Sequence, residues 1–86
     1  MLSHSDELAL FVAVVEAGSF RQAADNLGID NSVVSRGVKR LEQKLATQLL
    51  NRTTRRVTLT DEGDWFYRRA ANLLDEMAAA ENQLLV

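Results

Sequence analysis

The side chains best suited to chemistry in this 86-residue chain lie together, just after a glycine turn at Gly28. They are Asn31, Ser32, Ser35 and Arg36. Asparagine can bond bidentately to adenine, arginine bidentately to guanine, and serine to a base or a phosphate. This set therefore indicates contacts with base edges in a DNA major groove rather than the making or breaking of bonds.

Basic residues surround this set. Residues 31–60 contain seven basic side chains and one acidic one, a net charge of +6, whereas the rest of the chain carries −8 and the whole chain −2. A concentrated cationic segment on an acidic body is what a phosphate-binding surface needs, although a basic run alone is also compatible with a solvated face. We expect phosphate contacts from Arg21, Lys39, Arg40, Arg52, Thr53 and Arg56.

Catalytic and metal-binding arrangements are missing from the sequence. There is no cysteine and only one histidine, and no Ser-His-Asp set, phosphate loop or glycine-rich fingerprint is present. Asp61 and Glu62 are better explained as partners of the positive end of a helix dipole than as a metal site. We therefore expect neither an enzyme nor a cofactor.

The sequence also gives an expectation about compartment. Its longest apolar run, Leu8 to Val15, is far too short to span a bilayer, and the first residues lack the basic region of a signal peptide. We expect a cytoplasmic protein with no membrane partner.

Four helices are needed to position the candidate residues. The first carries an apolar stripe at i, i+3, i+4 and i+7, and Gly18 ends it. That stripe is Leu8, Phe11, Val12 and Val15.

The second helix opens at Ser19 with a capping-box pattern completed by Gln22, and it ends at Gly28. Its expected inward residues are Ala23, Ala24 and Leu27.

The third helix is predicted from an N-cap at Asp30 to about Leu45, with an apolar back and a cationic front. The back is formed by Val34, Val38, Leu41 and Leu45, and the front by Ser32, Arg36, Lys39 and Arg40. Two helices joined by a tight glycine turn, the second with a basic front, are typical of a helix-turn-helix.

A short hairpin is predicted next, with strands at 49–52 and 56–59. Its basic tip suits a wing, from which Arg55 can enter a neighbouring minor groove.

Thr60 is expected to cap a long fourth helix, which carries a repeating pattern of apolar residues. Apolar residues recur there with alternating spacings of four and three, which is a heptad seam typical of dimerisation. The seam consists of Phe66, Ala70, Leu73, Met77, Ala80 and Leu84. The chain then ends on apolar residues, from which we expect that it was cut from a longer protein.

A second function from another class uses the same features. The seam and the basic patch could form a dimeric coiled-coil module that binds an acidic protein partner. Such a partner would not require base-contacting residues at the start of a helix, and for this reason the sequence favours DNA.

In the order and spacing of its motifs, the chain resembles the N-terminal domain of LysR-type transcriptional regulators. The motifs that carry the resemblance are Ser19-Phe20, Ala23-Ala24, Leu27-Gly28, Ser35-Arg36, Val38, Leu41-Glu42, Leu49-Leu50-Asn51-Arg52-Thr53-Thr54-Arg55, Leu59-Thr60 and Glu62-Gly63. They cover nearly the whole chain, and the Asn31-Ser32 pair and the wing are similar to the CrgA-like branch of that family.

The resemblance implies a mainly α fold: a winged helix-turn-helix in residues 1–60 (helix-turn-helix about 19–38, wing about 49–59) and a linker helix in residues 61–86. It implies double-stranded promoter DNA as partner, with Asn31, Ser32, Ser35, Arg36 and Arg55 contacting bases. It further implies an antiparallel homodimer through the linker helix and a tetramer in the full-length protein. A small-molecule inducer would act only through a C-terminal effector-binding domain, which is absent from this chain.

Two positions depart from the family pattern. Many members have Gln-Pro in place of Asn31-Ser32, so the outermost base preference does not transfer from them. Gly37 replaces a larger polar residue, which either weakens the helix or lets it approach DNA closely.

Overall fold

The computed structural model describes residues 4–52 and 56–85, with side chains from residue 6 onward. Within these residues the chain forms four helices and a two-stranded antiparallel hairpin, which confirms the predicted mainly α, winged helix-turn-helix fold. The elements are α1 (His4–Ala17), α2 (Phe20–Leu27), α3 (Asn31–Leu45), β1 (Leu50–Asn51), β2 (Thr58–Leu59) and α4 (Asp61–Leu85).

Helix α1 lies at the centre of the domain and contacts α2, α3 and α4. Its buried residues are Glu7, Leu10, Phe11, Val12 and Val14, and four of them, Glu7, Leu10, Phe11 and Val14, are spaced at i, i+3, i+4 and i+7. The buried face is therefore offset from the predicted stripe: Phe11 and Val12 are buried as predicted, whereas Leu8 and Val15 are only half-buried. The offset arises because a glutamate begins the buried face and because α1 is covered from more than one direction.

Helix α2 begins and ends at the predicted capping residues, but two predicted side-chain roles differ in the structure. The Ser19 hydroxyl accepts the backbone N–H of Gln22 at 3.0 Å, and Gly28 ends the helix in the left-handed region at φ 68°. The Gln22 amide, however, donates to Asn26 Oδ1 at 2.8 Å, so its side chain does not complete the capping box. The predicted burial of Leu27 was also wrong, because the turn leaves the end of α2 uncovered and 47% of this residue exposed.

Helix α3 begins and ends where the sequence predicted. Val34, Val38 and Leu41 are buried against the rest of the domain, and Leu45 is half-buried. Gly37 is buried as well. It therefore lies on the packed side of α3 and not on the exposed front. This position argues against the role in which Gly37 lets the helix approach DNA closely.

The hairpin is shorter than predicted, with two residues in each strand and Leu50 opposite Leu59. Thr60 joins it to α4: its hydroxyl donates to the Gln48 carbonyl at 2.8 Å and accepts the N–H of Gly63 at 2.9 Å. Gly63 is buried so close to β1 that a Cβ atom there would collide with the carbonyl oxygen of Leu49. This junction fixes the hairpin on the start of α4.

Helix α4 has 25 residues, and only its first half packs on the domain. Phe66 meets Phe11 with ring centroids 5.9 Å apart, and Ala70 is buried. Among the described residues, no helix has the length and apolar character needed to cross a membrane.

Candidate nucleic-acid interface

The four predicted base-contacting residues of α3 lie together on the surface. All of them are exposed, in the first two turns of the helix; they are Asn31, Ser32, Ser35 and Arg36. The apolar back of α3 is buried in the domain. The front can therefore contact a ligand while the contacts of the back with the rest of the domain stay in place. A helix held in this way has the geometry that enters a major groove.

Asp30 orients the start of this front. Its Oδ1 accepts both the backbone N–H and the hydroxyl of Ser32, each at 2.9 Å. These hydrogen bonds, the backbone one first, hold the pKa of Asp30 below its usual value, and the charge of Arg36 acts in the same direction. Because the only hydroxyl proton of Ser32 is given to Asp30, its oxygen is left to accept hydrogen bonds from a ligand.

Lys39 and Arg40 are exposed about one turn further along α3. Arg40 and Lys44 share an acidic partner that the sequence analysis missed: the buried Glu7 of α1. Lys44 Nζ lies 2.7 Å from Glu7 Oε1, and Arg40 Nε lies 3.9 Å from Glu7 Oε2. The only sequence signal for the burial of Glu7 was its spacing, three, four and seven residues before Leu10, Phe11 and Val14, which places it on the same helix face.

Arg52 is a predicted phosphate contact for which the structure gives an internal role. Its guanidinium lies 2.7 Å from Glu42 Oε1 and stacks over the Phe20 ring at 5.4 Å. Glu42 Oε2 accepts the backbone N–H groups of Leu49 and Leu50 at 2.8 and 3.2 Å. Glu42 thus forms a structural ion pair, and it fixes the base of the hairpin to α3.

Two other predicted phosphate contacts lie outside α3. Arg21 on α2 and Arg56 before β2 are exposed. Thr53 and Arg55 lie outside the described residues, so their roles stay predictions from the sequence. Among the residues that the structure describes, no cluster of three or more potential metal ligands is found.

The heptad seam of α4 has a part that packs within the chain and a part that is exposed to solvent. Phe66 is half-buried and Ala70 is only 3% exposed, because both already pack within the chain. The later positions project into solvent; they are Leu73, Met77, Ala80 and Leu84. The side chain of Trp65 is also exposed, with the Arg69 guanidinium 4.5 Å above its ring. A groove of about 260 Å³ runs along this side of α4 and is lined by Leu8, Trp65, Phe66, Arg69, Ala70 and Leu73.

Residues 5–64 match the family model for bacterial regulatory helix-turn-helix proteins of the lysR family. This match covers the helix-turn-helix, the hairpin and the start of α4. The chain belongs to the LysR family.

Individual LysR-type proteins agree with this assignment. The chain is 58% identical, over 85 residues, to the transcriptional regulator CrgA of Neisseria meningitidis, and 47% identical, over 75 residues, to the regulator PtxR of Pseudomonas aeruginosa. These matches cover 99% and 87% of this chain but only 28% and 24% of those proteins. The chain therefore spans about a quarter of the length of its LysR-type relatives.

Solved LysR-type structures show the same fold. The structure of CrgA from Neisseria meningitidis superimposes with a TM-score of 0.79 at 56% identity, covering 99% of this chain and 28% of CrgA. The DNA-binding domain of BenM, solved in complex with a DNA called catB site 1, superimposes with a TM-score of 0.84 at 42% identity, covering 94% of this chain and 93% of that domain.

Proposed function

We propose that this chain is the DNA-binding part of a bacterial LysR-type transcriptional regulator and binds a specific sequence in double-stranded promoter DNA. The observation that carries the proposal is the exposed front of α3, where Asn31, Ser32, Ser35 and Arg36 stand on a capped helix whose back is buried. Side chains of these types can distinguish base pairs in the major groove. The related BenM domain, which has been solved in complex with DNA, supports DNA binding by this fold.

Phosphate binding follows from the same surface. Arg21 on α2 and Lys39 and Arg40 on α3 are exposed, and contacts of this kind position a protein on the duplex without selecting sequence. Arg55 of the wing is proposed to enter an adjacent minor groove, as its place in the family motif implies. Thr53 and Arg56 are further proposed phosphate contacts, and Arg52 would reach a phosphate only with the part of its guanidinium that its ion pair with Glu42 leaves exposed.

The proposed division of labour assigns residues 1–60 to DNA binding and residues 61–86 to dimerisation. The longer LysR-type relatives leave room for further domains, through which a small-molecule inducer and a tetrameric assembly would act. The proposed site of action is the cytoplasm, where promoter DNA is accessible in bacteria.

The sequence of α4 fits a specific antiparallel pairing with a second copy. In an antiparallel coiled coil, residues of one heptad position face those of the other, so the seam must match itself when reversed. Reversal about residue 75 aligns every seam position with another one. The resulting pairs are Phe66 with Leu84, Ala70 with Ala80, and Leu73 with Met77 of the second copy.

The groove beside α4 supports this register. It is lined by Phe66 and Leu73, which are the positions that this pairing places opposite Leu84 and Met77 of the second copy. Leu84 is 88% exposed in the single chain, and a helix of 25 residues is about 37 Å long, enough to reach the groove of an antiparallel partner. Covering the groove would remove Trp65 and Leu73 from water.

Selection from a pool of random-sequence duplexes tests the proposed function without knowledge of the promoter. The 86-residue chain should enrich duplexes that contain two copies of one half-site in inverted orientation, because two-fold symmetry in the protein is mirrored in the DNA. The Arg36→Ala variant is the control and should enrich a less specific motif. Failure of the wild-type chain to bind any duplex at low salt, together with capture of acidic proteins, would instead support the protein-interaction module.

A further inference from the structure

A buried carboxylate lies beside two basic residues of α3, Arg40 and Lys44. Glu7 is fully buried on α1, although acidic side chains are almost never fully buried unless they are paired. Its Oε1 accepts a hydrogen bond from Lys44 Nζ at 2.7 Å. Its Oε2 is buried and has no hydrogen-bond partner among the described residues. One half of this carboxylate is therefore left without a donor.

Arg40 is the cation that faces the unpartnered oxygen. Its nearest atom is Nε, 3.9 Å from Oε2, which is too far for a hydrogen bond but close enough for an ion pair. The arginine side chain is 47% exposed. Since Nε is the atom nearest to Glu7, the two terminal nitrogens of the guanidinium remain available to another anion, and a guanidinium carries five donors in all.

We propose that Glu7 is a positioning residue for phosphate binding: it holds Arg40 through Nε so that the terminal nitrogens bind a DNA phosphate. Bound DNA then brings Arg40 Nε within hydrogen-bond distance of Oε2. This inference rests on the proposed function, because it concerns how the same surface binds DNA. Its physical basis is that a long side chain held in place before binding loses less freedom when the ligand arrives.

The negative charge of Glu7 works against this effect, since it repels phosphate. That repulsion is small because Lys44 lies 2.7 Å away and offsets the charge of Glu7. Loss of orientation should therefore outweigh loss of repulsion when Glu7 is replaced. The sign of the change in affinity distinguishes the two effects.

Fluorescence anisotropy with a labelled 24-base-pair duplex of random sequence provides the test. Glu7→Gln keeps the shape of the side chain and should weaken binding about three- to tenfold. It should also reduce the log–log salt slope by about one for each subunit, as loss of one phosphate contact does. Arg40→Ala should behave in the same way, and the double variant should be no weaker than Arg40→Ala alone.

Glu16→Gln is the matched control, because Glu16 is an exposed acid on the same helix and its replacement changes the net charge equally. It should bind as tightly as the wild type or slightly more tightly. Glu7→Gln binding at least as tightly as the wild type would overturn the inference, as would independent, additive effects of the two substitutions. If the wild-type chain binds no duplex at all, the proposed function fails and not only this inference.

A second measurement uses the wild-type chain and does not depend on folding of a variant. Hydrogen exchange of the Arg40 Nε–H group can be followed by NMR with and without the same duplex. The proposal predicts slower exchange on DNA, because the proton becomes hydrogen-bonded to Glu7. Unchanged or faster exchange in the complex would contradict it.

Discussion

Contacts that select a base and contacts that only hold the duplex are expected about one helical turn apart on α3. Asn31 and Arg36 lie in its first two turns, whereas Lys39 and Arg40 follow. Base edges differ between sequences and phosphates do not, so substitutions in the two groups should have different effects on specificity.

Arg36→Ala should cost about 1–3 kcal/mol on a selected DNA site and much less on random DNA, because it removes a base contact. Lys39→Ala should weaken both DNAs by similar factors and lower the salt slope by about one. Titration of both variants against both duplexes gives the comparison, in which changes in fold stability largely cancel. Identical behaviour of the two variants would contradict the assignment of the front.

Asp30 should make the stability of the domain sensitive to acid. Its pKa is lower in the folded chain than its usual value of 3.8, so the ionised cap stabilises the fold above that value. The contribution is lost as the pH falls through the lowered pKa. Asp30→Asn keeps a capping residue without the charge, and its melting temperature should differ from that of the wild type at pH 6, with the difference shrinking as the pH falls below 3.8. A difference that is constant down to pH 3 would exclude this role.

At the scale of elements, close backbone packing fixes the wing on α4. Gly63 is the residue that allows this approach, because the carbonyl of Leu49 occupies the space of a side chain. Glu42 and Arg52 secure the other side of the hairpin.

Gly63→Ala should therefore destabilise the domain despite the higher helix propensity of alanine. Propensity alone would favour the substitution by about 1 kcal/mol, whereas forcing an atom into a packed space costs about 1–3 kcal/mol. The collision is with backbone, which cannot rotate away, so we expect a net loss in chemical denaturation. Ala78→Gly at an exposed position of α4 measures the propensity contribution in the same helix. A more stable Gly63→Ala variant would disprove the steric argument.

At the scale of the whole molecule, the proposed dimer depends on the exposed half of the α4 seam. Leu73→Glu or Met77→Glu would place a charge at the centre of the antiparallel pairing, and each should give a monomer in sedimentation velocity. Ala79→Glu adds the same charge on the opposite side of α4 and should leave the dimer intact. A dimer that persists in both seam variants would show that this part of α4 is not the interface.

The charge distribution of the whole molecule predicts a strong salt dependence. If a dimer neutralises about 6–8 phosphates, the slope of log affinity against log salt should be near −5 to −7. Arg68→Ala removes a cation on α4, away from the basic segment, and should leave this slope unchanged. A slope near zero for the wild-type chain would mean that the basic segment does not face DNA.

Features that depend on neighbours in the chain were determined by the sequence itself. The caps at Ser19, Asp30 and Thr60 bond to groups two or three residues away, and Gly28 adopts the left-handed conformation that ends α2. Such interactions need only the local spacing of residue types, which a sequence displays directly. The basic front of α3 follows in the same way from helical periodicity.

Only the tertiary structure decided which distant groups meet. Glu7 and Lys44 are separated by 37 positions, and nothing in the local pattern shows that they pair. The residues next to Arg52 in the sequence predict a freely exposed side chain. In the structure its guanidinium pairs with Glu42 and stacks over the ring of Phe20. The seam of α4 is continuous in sequence, but packing on α1 buries Ala70 and leaves Met77 in water. The sequence thus determined which face of each helix is apolar, whereas three-dimensional packing determined what covers that face, because burial depends on elements that are remote along the chain.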